Sequence, residues 1–468
     1  MRILLVSHLF PPSHSAGVEV FASELALALL EAGHEVFVLH TNNRVGRRDL
    51  QLLRRTWRGL GVFEIVNNLF HEDFEATWNH PAIDALFEEA LAEVRPDVVH
   101  FHHLMYLSVG CLPLARAYAR AVLFTPHDFY LECAAMGQLV HADGSVCHTV
   151  DTRRCGTCLP HYRWNQGPWQ RRVGKALGAL HSVARIDLGP LAKRLAGSPK
   201  ATATPTPGDV EPAQAERFER LARERRTGLL EAVVHNVDRF LCPSQFLAQR
   251  MQRFGLPAER TFLCPTGVDL DQFQPVERPE RLRGAPLQIT FLGTMIPIKG
   301  PHLLVEAWAQ LPAALRSRGE LSLCGPLQHA PAYVEALKDA ASELYVEVTG
   351  RLSREQVAAK LAATDLLVMP SMWFENRPLI LHEALALGVP CLVSDQGGMA
   401  ELIVEGRDGW HFPMGDAAAL AKRLGEVLAH PETLEALEPT SPDLCSWAEA
   451  AERFVAHYEE VLRAGLRP

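Results

Sequence analysis

Two glutamates eight positions apart, Glu375 and Glu383, stand in the segment Trp373-Phe374-Glu375-Asn376-Arg377-Pro378-Leu379-Ile380-Leu381-His382-Glu383-Ala384. An apolar run ending Met369-Pro370-Ser371 precedes them. Pro378 suits the first turn of a helix, where a missing N–H costs nothing. Glu375 then lies in the loop before the helix and Glu383 about two turns into it. At a rise of about 1.5 Å per residue, eight residues span roughly 12 Å. Glycoside hydrolases hold their carboxylates closer, at about 5–9.5 Å. The pair therefore suits two ends of one long ligand better than an acid/base dyad, although a surface glutamate beside an unrelated helical one fits the spacing as well. Lys299 stands in Phe291-Leu292-Gly293-Thr294-Met295-Ile296-Pro297-Ile298-Lys299-Gly300, in a loop between strand and helix where a diphosphate would lie. The chain has seven lysines against 39 arginines, and a lysine at such a loop is a point charge for phosphate. Taken alone, it is equally a solvent-facing loop residue.

A second group of reactive side chains is Cys133, Cys147, Cys155 and Cys158, four of ten cysteines within 26 residues. The spacing ends in a Cys-x2-Cys knuckle, and Asp143-Gly144 marks a turn inside it. In a reducing compartment this is metal-like spacing. A structural zinc held by four thiolates would pin a loop with few apolar residues of its own. An Fe–S cluster is the second option, and buried thiols without metal the third. Cys111, Cys242, Cys264, Cys324 and Cys391 sit in apolar contexts and read as core.

The elements that must position these residues follow from the hydrophobic pattern. Arg2 to Ser7, Glu35 to His40, Asp97 to Phe101 and Ala121 to Thr125 read as buried strands separated by helical sequence. Val18 to Glu31 places Phe21, Leu25, Ala28 and Leu29 on one helical face. The rhythm restarts at Gln288 to Leu292, Glu320 to Leu323, Val346 to Val348, Leu366 to Met369 and Cys391 to Ser394. Alternating strands and helices imply parallel sheets with right-handed crossovers, hence two doubly wound α/β units with a boundary near Gln274 to Pro286. Neither unit has G-x-G-x-x-G after its first strand, so a simple dinucleotide reading is weak. Hydrophobic residues are 48% and charged residues 22% of the 468, which excludes disorder of the whole chain, and a net charge of −9 speaks against nucleic acid as partner. The N-terminal apolar run is too short for a signal peptide and no run reaches the ~18–20 residues of a membrane span, so the expected location is cytoplasmic.

Taken together, the residues resemble the retaining family-4 glycosyltransferases, of the glycogen/sucrose-synthase-like GT-B group. In the C-terminal half the resemblance rests on Gly293, Lys299-Gly300, Gly350, Thr364-Asp365, Pro370-Ser371, the Glu375-x7-Glu383 pair, Ala386-Leu387-Gly388-Val389-Pro390, Gly397-Gly398, Glu401 and Asp408-Gly409. In the N-terminal half it rests on His8, Pro11-Pro12, Ala16-Gly17-Val18-Glu19, Gly33-His34-Glu35-Val36 and Thr125-Pro126-His127-Asp128. It covers nearly the whole chain apart from residues 163–231. It implies two Rossmann-like doubly wound domains facing across a cleft: residues 1–275 on the acceptor side, 276–445 binding a nucleotide-sugar, and a helix at 446–468 crossing back to the first. It implies transfer of a sugar, with retention, from a UDP- or GDP-sugar to a saccharide or lipid-linked glycan. The implied catalytic residues are Glu375, His127 and Lys299. Donor binding falls to Gly17, Gly293, Lys299, Arg351, Glu375, Leu379, Ile380 and Glu383: Glu375 on the sugar hydroxyls, Glu383 on the ribose, Lys299 on the diphosphate with the N–H groups of Leu379 and Ile380 at the helix start. No Asp-x-Asp pair stands within these motifs, so no cofactor is expected for the chemistry. A GT-B nucleotide-sugar epimerase and a non-catalytic nucleotide-sugar-binding protein are the alternatives.

Two departures from the family pattern concern the donor. Thr294 stands where the family usually has Arg, leaving Arg351 or Arg377 to compensate, and Pro378 stands where many members have Gly. The insertion 163–231 is read as helical and partly flexible, with a Pro/Thr/Ala-rich loop at 197–211. Its first part, 163–200, holds eight basic residues against Asp187, with Trp164, Trp169, Leu177, Leu180 and Ile186 interspersed. A basic amphipathic helix of this kind suits an anionic membrane surface on the inner face, or else a solvated face of the domain.

Overall fold

The computed structural model describes residues 1–14, 16–162, 164–184, 210–264, 266–274, 285–440 and 444–465. They form two compact units, one of Met1–Pro243, Ala248–Cys264 and Trp447–Pro468, the other of Ser244–Leu247 and Pro265–Ser446. The units thus part at Cys264 and Pro265, ahead of the Gln274 to Pro286 stretch, of which residues 275–284 lie outside the described residues.

The first unit is built on eight strands: β1 (Arg2–Val6), β2 (Glu35–Asn42), β3 (Leu52–Trp57), β4 (Leu60–Val66), β5 (Val98–Phe101), β6 (Ala121–Phe124), β7 (Arg239–Cys242) and β8 (Thr261–Leu263). Their order is β3-β4-β2-β1-β5-β6-β7-β8. β1 is central because Ile3, Leu4, Leu5 and Val6 are fully buried and a parallel strand needs cover on both faces. The helix Gly17–Glu31 buries Phe21, Leu25, Ala28 and Leu29, the face expected from the 3.6-residue period. The last helix, Trp447–Arg463, belongs to this unit, with Trp447 and Phe454 edge-on to Phe21 at 5.3 and 6.0 Å.

An all-parallel sheet was the expectation here, and one strand departs from it. β3 runs antiparallel to β4, with Trp57 opposite Leu60. Arg58 and Gly59, both at positive φ, make the two-residue turn between them. β3 reads Leu52-Leu53-Arg54-Arg55-Thr56-Trp57, too polar to register as a buried strand, and it lies at the sheet edge where polar residues are tolerated.

The second unit has six parallel strands: β9 (Leu287–Leu292), β10 (Gly319–Cys324), β11 (Glu347–Thr349), β12 (Leu366–Met369), β13 (Cys391–Ser394) and β14 (Gly409–Phe412), ordered β11-β10-β9-β12-β13-β14. Successive side chains go to opposite faces, as the pleat requires. Ile289, Phe291, Leu366 and Val368 enter one core, while Leu292, Leu367, Met369 and Val393 enter the other. The order reverses between β9 and β12, which pair directly, so the helices that follow them pack into opposite cores. That is where an open α/β sheet offers a crevice for ligands. In the first unit the corresponding reversal lies between β1 and β5.

Of the 163–231 insertion, two helices are described, Pro168–Ala184 and Pro212–Asn236. Arg163, Arg185, Asp187, Lys193, Arg194, Lys200 and most of the 197–211 loop lie outside the described residues. The first helix carries Arg171, Arg172 and Lys175 and no acid, and it exposes Trp169 (74%) and Val183 (88%). Among the described residues no helix is long and apolar enough to cross a membrane.

Candidate functional site

In the second unit, the loop after β9 carries Gly293 and Lys299, and the loop after β12 carries Glu375. The two loops are tied by the Met372 N–H donating to the Ile298 carbonyl at 2.8 Å. Lys299 Nζ lies 2.5 Å from Glu375 Oε1, with side-chain exposures of 21% and 6%. Ser371 Oγ donates to the same carboxylate oxygen at 2.8 Å. The ammonium also sits 5.1 Å from the centre of the Trp373 ring, a cation–π contact that fixes its direction. Gly293, at the end of β9, donates its N–H to Cys324 O at 3.0 Å.

The helix that follows runs Leu379–Ala386, and Pro378 is the residue before it rather than within its first turn. The first N–H groups of any helix lack an intrahelical acceptor, so those of Leu379 and Ile380 face outward from its start, while Leu381 N–H already bonds Pro378 O at 3.1 Å. Glu383 is buried on this helix and bonds the Arg354 guanidinium. Burial pushes the Glu383 carboxyl up, against the opposing pull of Arg354. Arg354 in turn lies 4.9 Å over the Phe273 ring. Arg351, expected to help the donor, is exposed three positions earlier. The sequence signal for Arg354 was available: Ser353 and Gln356 form a capping box that sets Arg354 as the first residue of the helix Arg354–Ala362.

His382 lies beside Glu383, fully buried, and accepts at Nε2 from Arg377 Nε at 3.1 Å. Burial, and then the Arg377 charge, lower its pKa to about 3. The unfolded chain, with an ordinary histidine near 6.5, therefore binds more protons below that pH, and folded-state stability falls as pH drops from about 6.5 toward 3. The slope is about 1.4 kcal/mol per pH unit for one histidine. Urea titrations at a series of pH values should show a flatter acid limb for His382→Gln than for the wild type. Parallel limbs would show that His382 is not the group responsible.

In the first unit, a cluster of histidines collects at the carboxyl ends of β1, β5 and β6. His8 Nε2 is 3.3 Å from Glu19 Oε1. His103 Nε2 donates to Asp128 Oδ2 at 3.0 Å, its Nδ1 accepting from Met105 N–H at 2.9 Å. His127 Nε2 is 3.2 Å from His102 Nδ1, and its ring packs edge-on to Phe21 at 4.6 Å. Desolvation, then His102 and His103, hold the His127 pKa well below 6.5, so it works as a neutral ring. His100 is structural: its two nitrogens lie 2.8 Å from the hydroxyls of Tyr458 and Thr125. Gly17 opens the helix Gly17–Glu31, whose entry is closed by Ala16 N–H donating to Glu19 Oε2 at 2.9 Å.

Two family models match this chain. The model described as Glycosyltransferase Family 4 matches residues 15–272, and that described as Glycosyl transferases group 1 matches residues 273–442. The first alone spans more than half of the 468 residues. The chain belongs to glycosyltransferase family 4. Among curated relatives, this family-4 chain is 31% identical to WcaL of Escherichia coli K12, named for colanic acid biosynthesis, over 193 residues covering 40% of the chain and 47% of WcaL. It is 30% identical to the D-inositol 3-phosphate glycosyltransferase of Geodermatophilus obscurus over 258 residues, 51% of the chain and 56% of that protein. The chain thus spans about half the length of the curated relatives it matches. Similar solved structures include sucrose-phosphate synthase from Thermosynechococcus elongatus, with TM-score 0.63, 18% identity and 99% of both chains covered. Another is Anabaena HepE in complex with UDP and glucose, with TM-score 0.61, 14% identity, and 98% of this chain and 99% of that one covered. These likenesses give the family-4 chain the GT-B fold, two Rossmann-like α/β domains.

The cysteine group of this family-4 chain lies in the first unit, after β6. Cys133 and Cys158 are buried, Cys147 and Cys155 half-buried, and all four are free thiols. Burial, together with the neighbouring sulfurs, pushes Cys155 and Cys158 up to about 12. As placed, no group of three or more His, Cys, Asp or Glu among the described residues is arranged to hold a metal ion. The metal expected at these cysteines has no ready-made ligand sphere. Cys111, Cys242, Cys264, Cys324 and Cys391 are buried, as core cysteines should be.

Proposed function

We propose that this protein is a retaining glycosyltransferase that moves a sugar from a UDP- or GDP-sugar to a saccharide or lipid-linked glycan. The observation that carries the reading is the Lys299–Glu375 pair, held by Ser371 and Trp373 at the loops after β9 and β12. Breaking the bond from the anomeric carbon to the diphosphate leaves positive charge on the sugar and negative charge on the leaving group. Lys299 and the N–H groups of Leu379 and Ile380 supply positive charge for the diphosphate, and such fixed donors act most strongly where charge develops. Glu375, already fixed by Lys299, holds the sugar hydroxyls. Glu383, paired with Arg354, takes the ribose hydroxyls. The acceptor oxygen bonds the anomeric carbon as the diphosphate departs, and its proton passes to the diphosphate. In the first unit, neutral His127 offers a hydrogen bond to the transferred sugar, and Gly17 lets backbone approach phosphate without a side chain in the way. HepE, solved with UDP-glucose, supports a nucleotide-diphospho-sugar as donor, and WcaL supports a saccharide acceptor.

A donor-hydrolysis screen over UDP-, GDP- and ADP-sugars tests this reading. The expected result is release of one nucleoside diphosphate, accelerated by a saccharide or lipid-linked acceptor, with the anomeric configuration kept in the product. An altered sugar still attached to its nucleotide, without any acceptor, would make the protein an epimerase. Binding without turnover of any donor would make it a non-catalytic receptor.

A further inference from the structure

The segment between β6 and the helix Pro168–Ala184 gathers four sulfurs for which sugar transfer has no use. Cys133, Cys147, Cys155 and Cys158 line a single cavity of about 20 Å³. That is room for about one water, but the walls beside the sulfurs are mostly apolar, among them Ala135, Leu139 and Val150, so a water would find few partners there.

The chain brings the four thiols together by three separate devices. Cys133 ends a turn, its N–H bonding Phe129 O at 2.7 Å. Cys147 closes a hairpin around Asp143-Gly144, with the bridge Val140–Val146 inside it and its own N–H bonding Leu139 O at 2.7 Å. Cys155 and Cys158 lie three apart, hence on one face of the helix Thr152–Cys158, which Asp151 caps. Among the described residues of this segment, regular structure is limited to this short helix and the single 3-10 turn Leu159–His161.

Two guanidinium groups stand near the sulfurs. Arg154 Nη1 lies 3.8 Å from Cys147 Sγ, while its Nη2 is 3.6 Å from Asp143 Oδ1. Arg225 is 2% exposed, yet among the described residues it has no carboxylate partner. It donates one bond to Tyr130 O at 2.8 Å, lies 4.4 Å over the Tyr130 ring, and leaves Nη1 without a hydrogen bond. A buried cation without a counter-charge is costly. Four neutral thiols, or two disulfides, supply none.

We propose that Cys133, Cys147, Cys155 and Cys158 bind one structural zinc ion, with Arg225 as its counter-charge. Zinc displaces the four thiol protons to solvent and forms four Zn–S bonds, leaving a net charge of −2 beside the Arg225 guanidinium and the Arg154 guanidinium that Asp143 shares. The sulfurs rotate into the cavity to reach the usual Zn–S distance of about 2.3 Å. Zinc chemistry of this kind locks a loop instead of taking part in turnover, so the site stands independently of the donor reading.

The test is metal analysis of the full chain purified without added metal or chelator. About one zinc per chain is expected, lost in Cys155→Ser and in Cys158→Ser but kept in Cys242→Ser, whose thiol lies on β7 outside the cluster. Should the cluster variants fail to fold, cobalt exchange into the wild-type chain gives the second readout, the visible absorption of a tetrahedral tetrathiolate. All ten thiols reacting with Ellman's reagent on unfolding, with no metal released, would overturn the proposal. So would two disulfides by mass, or iron with inorganic sulfide in place of zinc.

Discussion

Lys299→Ala is expected to reduce turnover by on the order of a hundredfold or more while the protein stays folded. Removing one fixed donor from a developing anion costs about 2.7–4 kcal/mol of transition-state stabilisation. Here the loss is compounded. The ammonium pairs with Glu375, and the carboxylate it leaves is 6% exposed, with Ser371 Oγ the remaining bond to that oxygen among the described residues. An uncompensated buried carboxylate would shift or draw in water, so Glu375 is disturbed together with the loss of the Lys299 charge. Lys299→Arg keeps the charge but replaces a compact ammonium with a planar fork, and should recover part of the loss. Steady-state rates with the donor identified by the screen, with circular dichroism as the check on folding, decide the matter. Rates within a few-fold of wild type for Lys299→Ala would remove the electrostatic role assigned to this loop.

Gly300→Ala is expected to destabilise the second unit by about 3–5 kcal/mol, at the upper end for a single substitution. Two terms contribute. Gly300 has φ +71°, a left-handed conformation that costs an L-residue about 1–2 kcal/mol. In addition, an added Cβ would fall 1.9 Å from the Pro370 carbonyl oxygen, a contact that only displacement of the backbone can relieve. Pro370 begins the loop that carries Ser371 and Glu375, so the same substitution should also loosen the Lys299–Glu375 pair. Gly388 is the natural control. Its φ is +68°, but a Cβ there would have nothing within 4 Å. Gly388→Ala should therefore show the conformational term alone, about 1–2 kcal/mol. Urea unfolding of the two variants measures the difference. Equal losses would mean that the approach of the two loops is not under steric constraint.

Much of this protein is written in short-range pattern. The buried run Ile3–Val6, the apolar face of Gly17–Glu31 and the strand-to-helix loops around Lys299 and Glu375 follow from periods of two and 3.6 residues and from proline and glycine chemistry, all readable within a dozen positions. Those same local rules set which residues lie at the carboxyl ends of the strands. They could not say which of these side chains meet. Lys299 and Glu375 are 76 positions apart and Arg354 and Glu383 are 29 apart. What joins them is the strand order that sets β9 beside β12, together with a helix start that places Arg354 rather than Arg351 against Glu383. The antiparallel β3, polar in sequence and held by a two-residue turn, was hidden for the related reason that edge strands need no buried face. Side-chain periodicity is a property of the backbone repeat and belongs to the sequence. Ion pairs, neutral buried histidines and the gathering of four thiols around one cavity depend on burial and on distances across the fold, and only packing fixes those.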